Sequence, residues 1–317
     1  MWVLVSVLLL LPQASWAALP FEWHADAHSA ESKPFGLNSV GPSYAPYPDH
    51  PPTESDIVTL ASVGLPAISA STPQSYVLRG RCESYDDSIL NGQASSTATC
   101  SGQINVYSSG AGNTTHHPFF RWYFYLPSTG LLTSTCSTEW QKWGMLWSAG
   151  GEAKNAGESA WIFLGNYPAS TCSPKTHASN NYAIIYNPDV VSPGTAARTV
   201  HPTVLTGDAW HYIEVELLQG LTGSDTMRVW IDKDACSASA DYETTAAAGS
   251  YFSTTSSVYF DKFFLMSNWI GWADSTRPAQ TMYFDYMAVH DGSCVGDTVG
   301  LLSATMYKGR LGTLFPR

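Results

Sequence analysis

The run Arg121-Trp-Tyr-Phe-Tyr125 sets a guanidinium and two phenols at alternate positions. In an extended strand alternate residues share a face, so Arg121, Tyr123 and Tyr125 form one stripe, opposite Phe120, Trp122, Phe124 and Leu126. The chemistry open to that stripe is recognition of a ring-shaped, acidic ligand. A tyrosine ring stacks on a sugar, and the planar fork of arginine holds a carboxylate through two hydrogen bonds. Lining a groove, the stripe would also carry the parts of a β-elimination on a uronic acid. Arg121 would neutralise the carboxylate, and Tyr123, Tyr125, His116 or His117 would take the proton. Lys142 on a later run adds charge, and Trp230 offers an outward platform for a sugar. The competing reading is an aromatic ladder between strands with the arginine stacked on it. For Trp230 it is a place beneath the N-terminal segment.

Those side chains need strands to hold them. Short runs rich in aromatic and β-branched residues recur at Phe119–Leu126, Lys142–Ser148, Ala160–Tyr167, Tyr182–Asn187, Trp210–Leu218, Met227–Asp232, Val258–Met266 and Met282–His290. Turn-forming clusters separate them and no long segment carries a helical period, which predicts an all-β sandwich. Alternation sends Ile213, Val215 and Leu217 inward and leaves Glu214 and Glu216 facing out. Met227, Val229 and Ile231 likewise go in, with Arg228, Trp230 and Asp232 outward. In the last run the inward set is Tyr283, Asp285, Met287 and Val289.

The ends of the chain read differently. Residues 1–18 hold an apolar run closed by Ala14-Ser15-Trp16-Ala17-Ala18, the pattern of a cleaved signal peptide, so a secreted protein is expected. Residues 19–75 form a Pro-rich extension in which Ile57–Val63 suggests one strand or helical turn. The sandwich spans 76–292, and 293–317 is a Gly-containing tail that packs as a last strand or trails. Lys and Arg total 15 against 26 Asp and Glu, a net charge of -11. That balance excludes a non-specific nucleic-acid binder, which needs a basic footprint. Six cysteines behind a signal peptide imply three disulfides, and pairing between sequence neighbours gives Cys82–Cys100, Cys136–Cys172 and Cys236–Cys294. Asn113-Thr-Thr115 is a glycosylation acceptor pattern. The adjacent pair His116 and His117 would point to opposite faces of an extended strand, and no transition-metal site is expected.

Three of these runs, in order, resemble a known family. Trp210-His-Tyr-Ile-Glu-Val-Glu-Leu followed by Met227-Arg-Val-Trp-Ile-Asp232 is similar to a strand pair of concanavalin A-like jelly rolls, in their polysaccharide-lyase-like branch. Phe120–Pro127 resembles an earlier strand of those domains and Met282–Val289 their closing strand. The resemblance implies two antiparallel sheets and a groove that binds a polysaccharide, with or without cleavage by elimination. It also implies a structural calcium ion at Asp285, the alternative being a hydrogen-bonded or Arg-paired carboxylate. The chain departs from the retaining glucanases of this fold, whose Glu-x-Asp-x-Glu pattern is missing. Glu214-Val-Glu216 is the nearest approach, and two glutamates outside a sheet also make an ordinary solvated face. Three expectations therefore stand: a polysaccharide lyase, a lectin-like module without catalysis, and a self-assembling surface protein with no sugar ligand.

Overall fold

The computed structural model describes the backbone of residues 21–27, 38–39, 56–82, 104–107, 115–127, 140–148, 159–165, 181–189, 199–200, 205–248, 252, 260–270 and 280–302. Side chains are described for 22–27, 57–80, 115–125, 127, 205, 207–248, 252, 260 and 281–302. The expected signal peptide, Asn113, Cys100, Cys136 and Cys172 lie outside the described residues, as do the side chains of Cys82 and Lys142.

In chain order the strands are β1 (Phe21–Trp23), β2 (Asn38–Ser39), β3 (Asp56–Thr59), β4 (Tyr76–Cys82), β5 (Ile104–Tyr107), β6 (Pro118–Leu126), β7 (Trp140–Ser148) and β8 (Ser159–Gly165). They continue with β9 (Asn181–Asp189), β10 (Thr199–Val200), β11 (Leu205–Thr206), β12 (Ala209–Leu218), β13 (Ser224–Ile231), β14 (Tyr242–Ala247), β15 (Phe260–Ile270) and β16 (Gln280–Asp291). A single α-helical turn, α1 (Leu60–Val63), follows β3, so the stretch from Ile57 is a strand and then a helical turn. Thr59 caps its start by accepting from the Ser62 amide, and Gly64 ends it in the left-handed region.

The fold is all-β, a jelly-roll sandwich of two antiparallel sheets. The first runs β14-β13-β12-β6-β16-β4-β3, with β1 also paired to β16. The second runs β10-β9-β8-β7-β15-β5-β2, with β11 paired to β9. Thr115 bridges to Phe260, joining the entry of β6 to the second sheet. The N-terminal extension adds strands, since β1 pairs with Met287–Val289 and β3 with β4.

The inner face of the first sheet is apolar as alternation requires. Phe120, Trp122 and Phe124 are closed to solvent, with Ile213, Val215 and Leu217 beside them in register. Burying each such side chain contributes about 1.5–3 kcal/mol. In β16 the expected inward set holds only for its second half. Met282 and Phe284 face in, then Met287 and Val289, while Tyr283 packs on the outer side. The cause is a bulge. Asp285 pairs with Tyr123 and Ala288 with Arg121, so two residues, Tyr286 and Met287, stand opposite Trp122 alone. Tyr286 takes a φ of 47° to make that step.

The outer face is buried too, which alternation alone does not predict. Phe119, Tyr123, Tyr125, Trp210, Tyr212, Trp230 and Ala288 form a second apolar cluster with Leu60, Ile68, Val295 and Val299. Residues 60–68 and 292–302 thus lie across this face as covers. Trp210 Nε1 donates to the Pro66 carbonyl at 2.8 Å, fixing the first of them. The second, segment 292–302, is a strap, so the tail after Cys294 packs across the sheet as far as Leu302.

Candidate functional site

Arg121 is 2% exposed and Tyr123 fully buried. The expectation of an open groove along Arg121, Tyr123 and Tyr125 is therefore corrected: the strap sits on it. The Arg121 guanidinium donates to the Gly296 carbonyl at 3.0 Å, to Thr298 Oγ1 at 2.6 Å and to the Tyr286 carbonyl at 3.2 Å. It also lies over the Tyr123 ring, 5.4 Å from its centroid. Tyr123 donates to Asp297 Oδ1 at 2.6 Å, and the same carboxylate accepts the amides of Gly300, Leu301 and Leu302. Burial pushes the Tyr123 hydroxyl well above the ordinary phenol range, so it is a hydrogen-bond donor rather than a ready base. Tyr125 packs edge-on against Trp210 and Tyr283, the ladder arrangement weighed against a sugar platform.

Glu214 and Glu216 point to this face but neither is solvated. Glu214, with no exposure, accepts the amides of Val295 and Gly296 at 2.7 and 3.0 Å and the hydroxyl of Tyr212. Burial raises its carboxyl above the usual range, against the pull of those donors and of Arg121. Glu216 accepts from Arg228 and His117 at 2.8 and 2.6 Å, and Arg228 continues to Glu243. Burial favours the neutral form of Glu216, but hydrogen bonds from His117 and Arg228 outweigh it and hold the carboxyl below its ordinary range. His117 is thus set beside Glu216 rather than beside Arg121, and His116 Nδ1 faces Gln219 Oε1 at 2.9 Å. The two carboxylates are tied to separate partners.

Trp230 is buried against Phe119, and its Nε1 donates to the Ala238 carbonyl at 2.9 Å. It is a covered residue, as the competing reading has it, but the cover is the turn at 232–241 rather than the N-terminal segment. That turn is joined to the strap by the Cys236–Cys294 disulfide, one of the three expected pairs.

Asp285 lies on the outer face, level with Tyr123, rather than inward as expected, yet it is fully buried at the bulge. Its Oδ1 accepts the amides of Ala25 and Tyr286, each at 2.8 Å, and Oδ2 accepts from Gln74 Nε2 at 2.7 Å. Three N–H groups therefore turn hydrogens toward this carboxylate, where a hard cation would need oxygen lone pairs. These surroundings do not fit calcium, and the hydrogen-bonded alternative is the one found. Among the described residues no group of three or more His, Cys, Asp or Glu is placed to hold a metal ion.

The second sheet offers a different surface, legible from register. Met145 of β7 stands in one row with Trp161 of β8, Asn187 of β9, Phe264 of β15 and Asn105 of β5. Lys142 shares the next row with Phe163 and Asn268, and Trp147 another with Lys262 and Ser159. Strand parity across the register shift in β7 puts all three rows on one face, together with Trp140 and Asp189. The opposite face carries Leu146, Ile162, Leu164, Ile184, Phe263 and Leu265, with Gln141 and Trp269 toward one end. Of the expected site residues, only Lys142 belongs to this sheet. Sequence reasoning misses Trp161, Asn187 and Asn268. Their signal is the contrast between the two parities of β8 and β9, hidden on β7 where one extra residue breaks the count.

No protein-family model matches the chain, and no curated protein matches it. Among solved structures the chain is similar to an endo-β-1,4-glucuronan lyase from the fungus Trichoderma reesei, with 9% identity and a TM-score of 0.48 over 87% of this chain and 97% of that one. It is similar to the alginate lyase Aly36B at 10% identity and a TM-score of 0.46, covering 87% of this chain and 98% of that one. The marine PL-14 alginate lyase from Aplysia kurodai follows at 13% identity, 70% and 85% coverage and a TM-score of 0.41. Each is a likeness in the course of the chain at very low identity.

Proposed function

We propose that this protein is a secreted carbohydrate-recognising module that binds an extracellular polysaccharide on the second sheet. One observation carries the reading: register gathers Trp140, Trp147, Trp161, Lys142, Asn187 and Asn268 on a single face. The opposite face of the same strands carries Leu146, Ile162, Leu164, Ile184, Phe263 and Leu265. Indole faces stack on sugar rings, asparagine amides match hydroxyl pairs, and the two lysines of this face favour an acidic polymer. The formed Cys236–Cys294 disulfide suits an oxidising, extracellular compartment. Arg121 and Tyr123 take no part, because their hydrogen-bonding groups are spent on the strap.

The test is a calorimetric titration of the purified protein with a panel of neutral and uronic-acid polysaccharides. Trp161→Ala and Lys142→Ala are compared with Arg121→Met. Binding weakened about tenfold or more by the first two and unchanged in a folded Arg121→Met protein supports the reading. A silent panel, or binding that survives both second-sheet substitutions, overturns it and favours the self-assembling surface protein. Growth of the ultraviolet absorbance of an unsaturated uronate during the titration would add cleavage to binding.

A further inference from the structure

The strap is held by two kinds of attachment. The covalent one is Cys236–Cys294, which closes a loop of sequence separation 58 between the 232–241 turn and the strap's first residues. The non-covalent ones come from beneath: Glu214 to the amides of Val295 and Gly296, Arg121 to Gly296 and Thr298, Tyr123 to Asp297. Thr72 adds a hydrogen bond to the Val299 carbonyl at 2.9 Å from the other cover. Together they seal Arg121, Tyr123, Tyr212 and Glu214 beneath the strap. These side chains are all nearly or fully buried, and two of them carry formal charge.

The two cysteines are unequally placed. Cys236 is exposed at the tip of its turn, whereas Cys294 is half-buried among the outer cluster. Gly296 is wedged against the bond: a methyl group added there would stand 3.1 Å from Cys236 Sγ and 2.9 Å from Asp234 Oδ1. Of the two bonded residues, Cys236 is the one that presents itself to solvent.

We propose that Cys236–Cys294 is a redox latch on the strap. Attack by an external thiolate at Cys236 Sγ forms a mixed disulfide and expels the Cys294 thiolate, which takes a proton from water. A second thiol then displaces Cys236, leaving two free thiols in the protein and the reagent as its disulfide. With the bond gone the strap keeps the apolar packing of Val295 and Val299 and its hydrogen bonds, several of them to charged groups that water solvates well once it enters. The strap then opens and Arg121, Tyr123 and Glu214 meet solvent, while both sheets stay paired through their own ladders.

Amide hydrogen exchange on the full chain tests this. In the double variant Cys236→Ser, Cys294→Ser, exchange at Val295, Gly296, Gly300, Leu301 and Leu302 is expected to rise about tenfold or more. The amides of β6 and β12 keep their rates. The same pattern is expected in the native chain reduced with dithiothreitol, with alkylation and peptide mass spectrometry confirming that Cys236 and Cys294 are the pair opened. Unchanged exchange in the strap overturns the proposal, because its non-covalent contacts alone would then hold it. Equal acceleration in β6 and β12 also overturns it, because the bond would then hold the whole sandwich and not a latch.

Discussion

The outer face of the first sheet and the tryptophan-bearing face of the other sheet are alike in composition. Both set aromatic rings beside cations, and either set of residues suits a sugar. What lies on top decides whether such a face is core or binding surface. On the first sheet the central polar groups have partners drawn from a cover: Arg121 from Gly296 and Thr298, Tyr123 from Asp297, Glu214 from Val295 and Gly296. Such a face is a second core with a polar middle. A binding face must instead leave part of its hydrogen-bonding capacity for a ligand, and that difference lies in the covering segments rather than in the strand.

The contrast is sharpest if each face is damaged in turn. Arg121→Ala is expected to destabilise the protein by about 3–5 kcal/mol, because Glu214 and Tyr123 lose the cation they are buried with. Chemical denaturation would show this, and an unaltered midpoint would return the arginine to the ligand-binding residues. Trp161→Ala is expected to cost polysaccharide affinity about tenfold or more while leaving the denaturation midpoint close to native. A large loss of stability there would mean that the second-sheet row is itself core.

Acidity separates the two faces further. Burial raises the Asp285 carboxyl from its ordinary 3.8 to about 7, a proton that the folded state holds more tightly than the unfolded one. Stability from this group is full below about pH 4 and is lost as pH rises through about 7. Asp285→Asn should therefore flatten the decline of melting temperature between about pH 5 and pH 8. Equal slopes in the two proteins would sink the assignment. The smallest effect is expected for Gly296→Ala. Its φ of 75° and the contact with Asp234 predict a loss of about 1–2 kcal/mol, measurable as a shift in the same melting curve.

The class of fold and the inner face are legible in the chain, because both rest on period-2 alternation and turn residues. Phe120, Trp122 and Phe124 in β6, or Ile213, Val215 and Leu217 in β12, are buried as alternation dictates. One disulfide follows from the order of the cysteines. What alternation cannot reveal is a cover supplied from far along the chain. Arg121 meets Thr298 across 177 positions and Asp285 meets Ala25 across 260, and no local pattern in β6 or β16 reports either. Trp230 is covered, as one of its two readings requires, yet the cover comes from the adjacent 232–241 turn. The second-sheet face escapes a simple count because register shifts in β7 and β15 scramble it.

The bulge in β16 has a consequence for anyone placing this chain beside relatives. Residues before Asp285 and after Met287 answer to opposite parities, so the strand behaves as two phrases with a beat inserted between them. Position 286 is where a related chain can gain or lose one residue and keep both halves of the strand in step with β6. Removing Tyr286 would straighten the ladder opposite Trp122, at the cost of the stacked pair that Tyr286 makes with His24. An insertion anywhere else in β16 would turn Phe284 or Val289 out of the core. A gap in an alignment of this strand therefore belongs at one place.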